Sequence, residues 1–210
     1  MKTLIIVDVQ NDFLPGGSLP VPGSEGIVSV INEIQDKFDL IIATQDWHPP
    51  KHMSFASNNG GMKTFDEIML DDQKQVLWPD HCVQGSKRAE FHPDLKMNKV
   101  ELIIRKGMDP EIDSYSGFYD NLHKISTGLS GYLKEKGVTE IHFCGLATDI
   151  CVYYSICDAI KEGFSAVLIE DASQPLDVEI FADKKVELIK LGAHIIKSNE
   201  IRGMNENSKK

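Results

Sequence analysis

The feature that most narrows what this chain can fold into is an alternation of short, β-branched apolar runs with amphipathic stretches. Residues 3–9 form the first run, reaching Asp8, and an apolar run without polar alternation predicts a strand covered on both faces. Comparable runs follow at Leu40 to Thr44, Val100 to Arg105, Glu140 to Cys144, Ala166 to Ile169 and His194 to Ile196. Between them lie helical periods. Ile27, Val30, Ile31, Ile34 and Phe38 follow a candidate cap at Ser24; Leu122, Ile125, Leu129, Tyr132 and Leu133 share one face; a third helix starts at Cys151 and a fourth spans Val178 to Leu191. Strand and helix in strict alternation predict an α/β fold, a three-layer doubly wound parallel sheet of six strands. With right-handed crossovers and the order 3-2-1-4-5-6, the ends of strands one and four meet at the topological switch point, where ligands bind.

A chain of 210 residues suits one domain. We expect it over residues 1–202, with an insert at about 45–99 that is too long and polar to be a plain connection, and a polar tail at 203–210. A formal charge of -10 repels phosphate backbones and anionic lipid, so nucleic acid and membrane are poor partners and a small molecule is the expected one. Self-association is left open. Leu4 to Val7 is too short for a signal peptide or a membrane span. Cys82, Cys144, Cys151 and Cys157 lack zinc-ribbon spacing, and a chain of this size folds without disulfides. Reduced thiols and a cytoplasmic location are therefore expected.

Several runs stop at a side chain that can do chemistry. The stretch His142 to Val152, HFCGLATDICV, runs from a strand through Gly145 into a helix and delivers Cys151 into the first turn. Unpaired amides there favour a thiolate and would bind an oxyanion; the alternative is a cysteine packed as a small apolar residue. Asp8 and Cys151 lie at the ends of strands one and four, and Asp46 and Lys106 close strands two and three, so one rim gathers all four. That grouping favours catalysis, with Cys151 as nucleophile, Asp8 as general base and acid, and Lys106 as orienter and charge partner. Within the insert, Asp46, His48, His52 and His81 make a nitrogen and oxygen donor set without thiolate, as in an open catalytic metal site. Zinc, iron or manganese would suit it, and the alternative is a polar loop of stacked imidazoles. Cys82 is excluded because a thiolate would close the site; His92, His123, His142 and His194 are read as structural.

The chain closely resembles the nicotinamidases and pyrazinamidases of the isochorismatase-like cysteine hydrolase superfamily. The matching runs are DVQNDFLPGGSL from Asp8, TQDWHPPKHMSF from Thr44, WPDHCVQG from Trp78, HPDL from His92, RKGMDPEIDSYSGF from Arg105 and GLATDICV from Gly145. That resemblance implies an isochorismatase-like fold, a catalytic triad of Asp8, Lys106 and Cys151, and one divalent ion, zinc first, on Asp46, His48 and His81. His52 would bind directly or through water. It also implies a cis peptide before Ala147, an oxyanion hole of the Ala147 and Cys151 amides, and a ring pocket of Phe13, Trp78 and Tyr115. The implied reaction hydrolyses nicotinamide to nicotinic acid and ammonia through a thioester, with pyrazinamide as a second substrate, in salvage of NAD breakdown products. The alternatives are another amidase or carbamoyl hydrolase of the superfamily, or a catalytically silent binding member. Ile150 departs from the aromatic residue or histidine common in relatives, Ser86 and Arg88 replace threonine and glycine, and Asn58 to Val76 matches no motif.

Overall fold

A computed structural model of the chain describes residues 1–201; the tail expected from Gly203 lies outside the described residues. In chain order the elements are β1 (Thr3–Val7), α1 (Ile27–Ile34), β2 (Leu40–Asp46), β3 (Glu67–Leu70), β4 (Gln73–Val76), β5 (Val100–Lys106), α2 (Leu129–Glu135), β6 (Glu140–Leu146), α3 (Tyr153–Lys161), β7 (Ser165–Gln174), α4 (Val178–Lys190) and β8 (His194–Ile196). Six strands form one parallel sheet in the order β5-β2-β1-β6-β7-β8. Counted among themselves, that is the expected 3-2-1-4-5-6. The remaining pair, β3 and β4, is an antiparallel hairpin inside the insert.

Period-two alternation along buried strands divides the core into two layers. Leu4 and Ile6 of β1 face α1, which contributes Ile27, Val28, Ile31 and Ile34. Ile5 and Val7 face the other layer, where Leu129 and Leu133 of α2, Ile156 of α3 and Leu188 of α4 pack. Each fully buried aliphatic side chain stabilises the fold by roughly 1.5–3 kcal/mol. No helix among the described residues is long and apolar enough to cross a membrane.

Two local expectations are corrected. Ser24 does not cap α1: the chain turns at Gly23 with φ 74° and enters the helix through a 3-10 turn, while the Ser24 hydroxyl donates to the Phe13 carbonyl at 3.3 Å. The second helix does not include Leu122 or Ile125. The Asp120 carboxylate accepts from the amides of Leu122, Lys124 and Ile125 at 2.9, 3.0 and 2.5 Å, wrapping that segment into a loop, and α2 begins only at Leu129. A side chain that satisfies three amides locally outcompetes the helical ladder.

The centre of the sheet tolerates no bulk at Gly145. Its φ is +114°, and an added Cβ would lie 2.1 Å from the Val7 carbonyl oxygen on the neighbouring strand. We expect Gly145→Ala to destabilise the fold by about 3 kcal/mol or more, through overpacking and a strained backbone. Thermal unfolding should register this as a fall of roughly 6–12 °C; an unchanged midpoint contradicts the steric account.

Candidate active site

The C-terminal ends of four neighbouring strands supply the site. Asp8 directly follows β1 with φ 49°, a left-handed conformation uncommon outside glycine and concentrated at functional positions. Its Oδ1 accepts from the Thr44 hydroxyl at 2.6 Å, and its Oδ2 lies 2.9 Å from Lys106 Nζ. Lys106, the last residue of β5, also donates to the Asp46 carboxylate and to the Ser114 carbonyl at 3.1 Å, and stands 3.4 Å from Cys151 Sγ. Asp46 is its register partner at the end of β2. Cys151 lies in a wide, π-type turn, Thr148–Val152, that leads into α3. The Leu146–Ala147 peptide is cis, and the Ala147 carbonyl accepts from the amides of Ile150 and Val152, not from that of Cys151 between them.

Charge at this rim is set by burial and by one cation. Burial lowers the proton affinity of Lys106, but Asp46 and Asp8 outweigh it and hold the ammonium well above the ordinary lysine range. Burial raises the Asp8 carboxyl; Lys106 opposes and Asp46 adds to the rise, leaving it above the usual value. Asp46 goes the other way, because Lys106, His48 and His81 outweigh burial and hold it well below the carboxylate range. Burial pushes the Cys151 thiol well up, with Lys106 opposing and the two carboxylates adding. This opposes the pull towards thiolate expected from its place near a helix start, since loss of water and two nearby carboxylates act against one lysine and one turn.

Beside the thiol, Asp46, His48 and His81 bring one donor atom each within 4.8 Å of one another, all three side chains buried. His81 Nδ1 donates to the Pro79 carbonyl at 2.8 Å, and its Nε2 lies 3.6 Å from Asp46 Oδ2. His48 Nε2 lies 3.2 Å from Asp113 Oδ1, and its buried Nδ1 has no partner among the described residues. Each ring is held by one nitrogen and offers the other, as in sites where an outer carboxylate or carbonyl orients a ligating imidazole. The donor set thus fits a divalent cation. His52 falls instead in a second group with His48 and Asp113, and burial lowers its pKa to about 4, so it is neutral. His48 packs against Gly107, where an added Cβ would lie 2.6 Å from Nε2.

Cys151, Asp46 and His81 open onto a narrow cavity of about 30 Å³ that Asp113 also lines. Phe13, Trp78 and Tyr115, expected around the ring, line it together with Ala147, and Leu19, Val21, Ile150 and Leu176 complete an apolar wall.

The family model described as the isochorismatase domain matches residues 2–200. The chain belongs to the isochorismatase family. It is 50% identical over 175 residues to a nicotinamidase of Acinetobacter baylyi, covering 83% of this chain and 82% of that one. Among solved structures it resembles the Acinetobacter baumanii nicotinamidase and pyrazinamidase, at TM-score 0.93 and 44% identity over 96% of this chain and 98% of that one. It also resembles the Pyrococcus horikoshii pyrazinamidase in complex with zinc, at TM-score 0.77 and 36% identity over 93% and 98%.

Within this isochorismatase-family frame, the expected residues converge, and three further ones join them. Thr44 holds Asp8; Asp113 holds His48; Gln75 reaches Asp113 from β4. Asp113 lies in the run from Arg105 to Phe118, but no spacing rule marked it, and an isolated glutamine carries no signal at all.

Removing the cation tests this electrostatic account. Lys106→Met leaves Asp8 and Asp46 buried without their shared counter-charge, and breaking such a pair costs about 3–5 kcal/mol. Urea unfolding should show a loss of that size at neutral pH; a loss no larger than that of a surface substitution refutes it.

Proposed function

We propose that the protein is an amidase that hydrolyses nicotinamide to nicotinic acid and ammonia. One observation carries the reading: a buried Lys106 within reach of Asp8, Asp46 and Cys151, beside an aromatic-lined cavity. The nicotinamidases it resembles support the choice of amide.

Asp8 and Cys151 offer atoms within 4.8 Å of each other. As Sγ attacks the carboxamide carbon, Asp8 takes the thiol proton and Lys106 stabilises the sulfur's developing charge. The Ala147 and Cys151 amides receive the oxyanion. Asp8 then gives its proton to the departing nitrogen, the C–N bond breaks, and ammonia leaves behind a thioester. Water, deprotonated by Asp8, adds to that thioester; the C–S bond breaks, nicotinate is released, and Cys151 recovers its proton. Phe13, Trp78 and Tyr115 position the flat ring so that the carbonyl carbon meets the sulfur, which is where orientation contributes to rate. Asp46, His48 and His81 would hold a divalent ion, which would offer an open coordination position to the ring nitrogen. His52 supports that set from behind His48, directly or through water.

Zinc is the first choice of ion, as in the Pyrococcus structure; iron and manganese suit the same donors. Pyrazinamide, with the same flat ring and carboxamide, is a second substrate. Recovery of nicotinate from NAD breakdown is the corresponding physiological role, and four free thiols suit the reducing cytoplasm.

Ammonia release from nicotinamide is the decisive assay. We expect turnover that disappears on chelation and returns with added zinc. Cys151→Ala should lower kcat by about a thousandfold or more. A Cys151→Ala protein that keeps its turnover would falsify the nucleophile assignment.

A further inference from the structure

The insert from Asn58 to Val76 contains the β3–β4 hairpin, closed by Asp71 and Asp72 with φ 45° and 63°. Two successive left-handed residues make the two-residue turn whose twist suits a hairpin. Along β4, Gln73 and Lys74 face solvent, whereas Gln75 is only 3% exposed. Burying a carboxamide is costly unless its groups are paired. Gln75 is paired, and two of its partners belong to the site.

Its Nε2 lies 3.2 Å from Asp113 Oδ2 and 3.1 Å from the Tyr115 hydroxyl, with the Val76 carbonyl at 2.8 Å. Asn121 donates to its Oε1 at 3.4 Å. Both site partners lead further inward. The other oxygen of Asp113 accepts from His48 Nε2 and from the Ser114 amide. The Tyr115 hydroxyl also accepts from the Trp78 indole at 3.2 Å. One carboxamide therefore joins the imidazole suited to a cation with two of the aromatic side chains that line the cavity.

We propose that Gln75 is a positioning residue, whose two Nε2 hydrogens, shared among Asp113, Tyr115 and the Val76 carbonyl, hold His48 for the ion and Tyr115 and Trp78 for the ring. Only a donor fulfils this role. Asp113 is a buried side chain whose Oδ1 lies 3.2 Å from His48 Nε2 and accepts from the Ser114 amide. Its second oxygen is left without the Gln75 donor if an apolar side chain fills the same space, and the carboxylate is then free to rotate away from His48. Tyr115 likewise loses one of the two donors that fix its hydroxyl. The ring-holding half of this proposal rests on the proposed amidase reading; the ion-holding half does not.

The test measures zinc affinity by chelator competition, alongside nicotinamide kinetics at saturating zinc, for the wild type, Gln75→Met, Gln75→Asn and the hairpin control Gln73→Ala. Methionine matches the volume of glutamine without a donor. Asparagine keeps the amide but draws it back by one methylene, and it preserves the test should the methionine variant fail to fold. Loss of an outer-shell partner weakens metal binding by about ten- to a hundredfold. We expect roughly tenfold weaker zinc for both Gln75 variants, with KM for nicotinamide raised more than kcat is lowered, and no change for Gln73→Ala. A role in space-filling alone predicts that Gln75→Met leaves both quantities unmoved. Zinc affinities within about twofold of the wild type in the folded Gln75 variants overturn the proposal, and so does a wild type that binds no divalent ion. A wild type that binds zinc but releases no ammonia overturns the amidase reading instead, and the zinc comparison still decides the ion-holding role of Gln75.

Discussion

One buried ammonium holds the carboxyl edge of this sheet together. Lys106 Nζ has three hydrogens and finds three acceptors, Asp46 Oδ1, the Ser114 carbonyl and Cys151 Sγ, and it pairs by charge with Asp8 Oδ2 at 2.9 Å. Taking an ion out of water carries a penalty of several kcal/mol that only close, well-aligned partners offset. Here the partners are two carboxylates that repel each other, so cation and anions are tolerable only as a set. The sulfur is one of the groups the lysine reaches, so burial favours its proton while Lys106, at 3.4 Å, favours the thiolate that attack requires.

The sheet, rather than any loop, puts this set in place. Asp46 and Lys106 are register partners across β2 and β5, and Val7, just before Asp8, pairs with Gly145 of β6. Hydrogen bonding between strands therefore fixes most of the spacing among the charged groups, and groups on regular elements hold position more tightly than groups on loops. The insert attaches to the same frame: His48 bridges to Val83 in parallel fashion, and its amide donates to the Cys82 carbonyl at 3.0 Å, which brings His81 alongside. Gly107, one residue beyond β5, makes the room His48 needs.

Strand ends were legible because parallel buried strands announce themselves as unbroken apolar runs, and Asp8, Asp46 and Lys106 stand where those runs stop. The order of the sheet followed from connection rules alone. Two helix starts were misread for a common reason. At Ser24 and at Asp120 a short polar side chain engages backbone groups that periodicity ignores, so apolar spacing overstates the helix. The hairpin escaped because its strands are short and largely solvated, leaving no one-sided apolar face to read. Gln75 and Asp113 were invisible for another reason: each acts through partners distant in sequence, and a single polar residue carries no period. The cysteine's burial, which opposes the pull of its helix start, was not legible, since burial is a property of the assembled fold.

The two carboxylates beside Lys106 begin with the same chemistry and end with opposite proton affinities. Asp46 faces the lysine and two imidazoles and is held well below the carboxylate range; Asp8 is more completely enclosed and keeps a raised value despite the same lysine. Such a split assigns roles, because a group that never protonates makes a permanent anionic ligand, whereas one whose proton affinity has been raised can accept and return a proton. The fold creates the split by the neighbours it gives each residue. Asp8 lies in the left-handed turn that follows the central strand β1, flanked by β2 and β6, while Asp46 ends the neighbouring strand β2 and meets the histidines of the insert. On the proposed reaction, exchanging the two environments, with both residues kept, would leave the sulfur without a base and the cation site without its permanent charge.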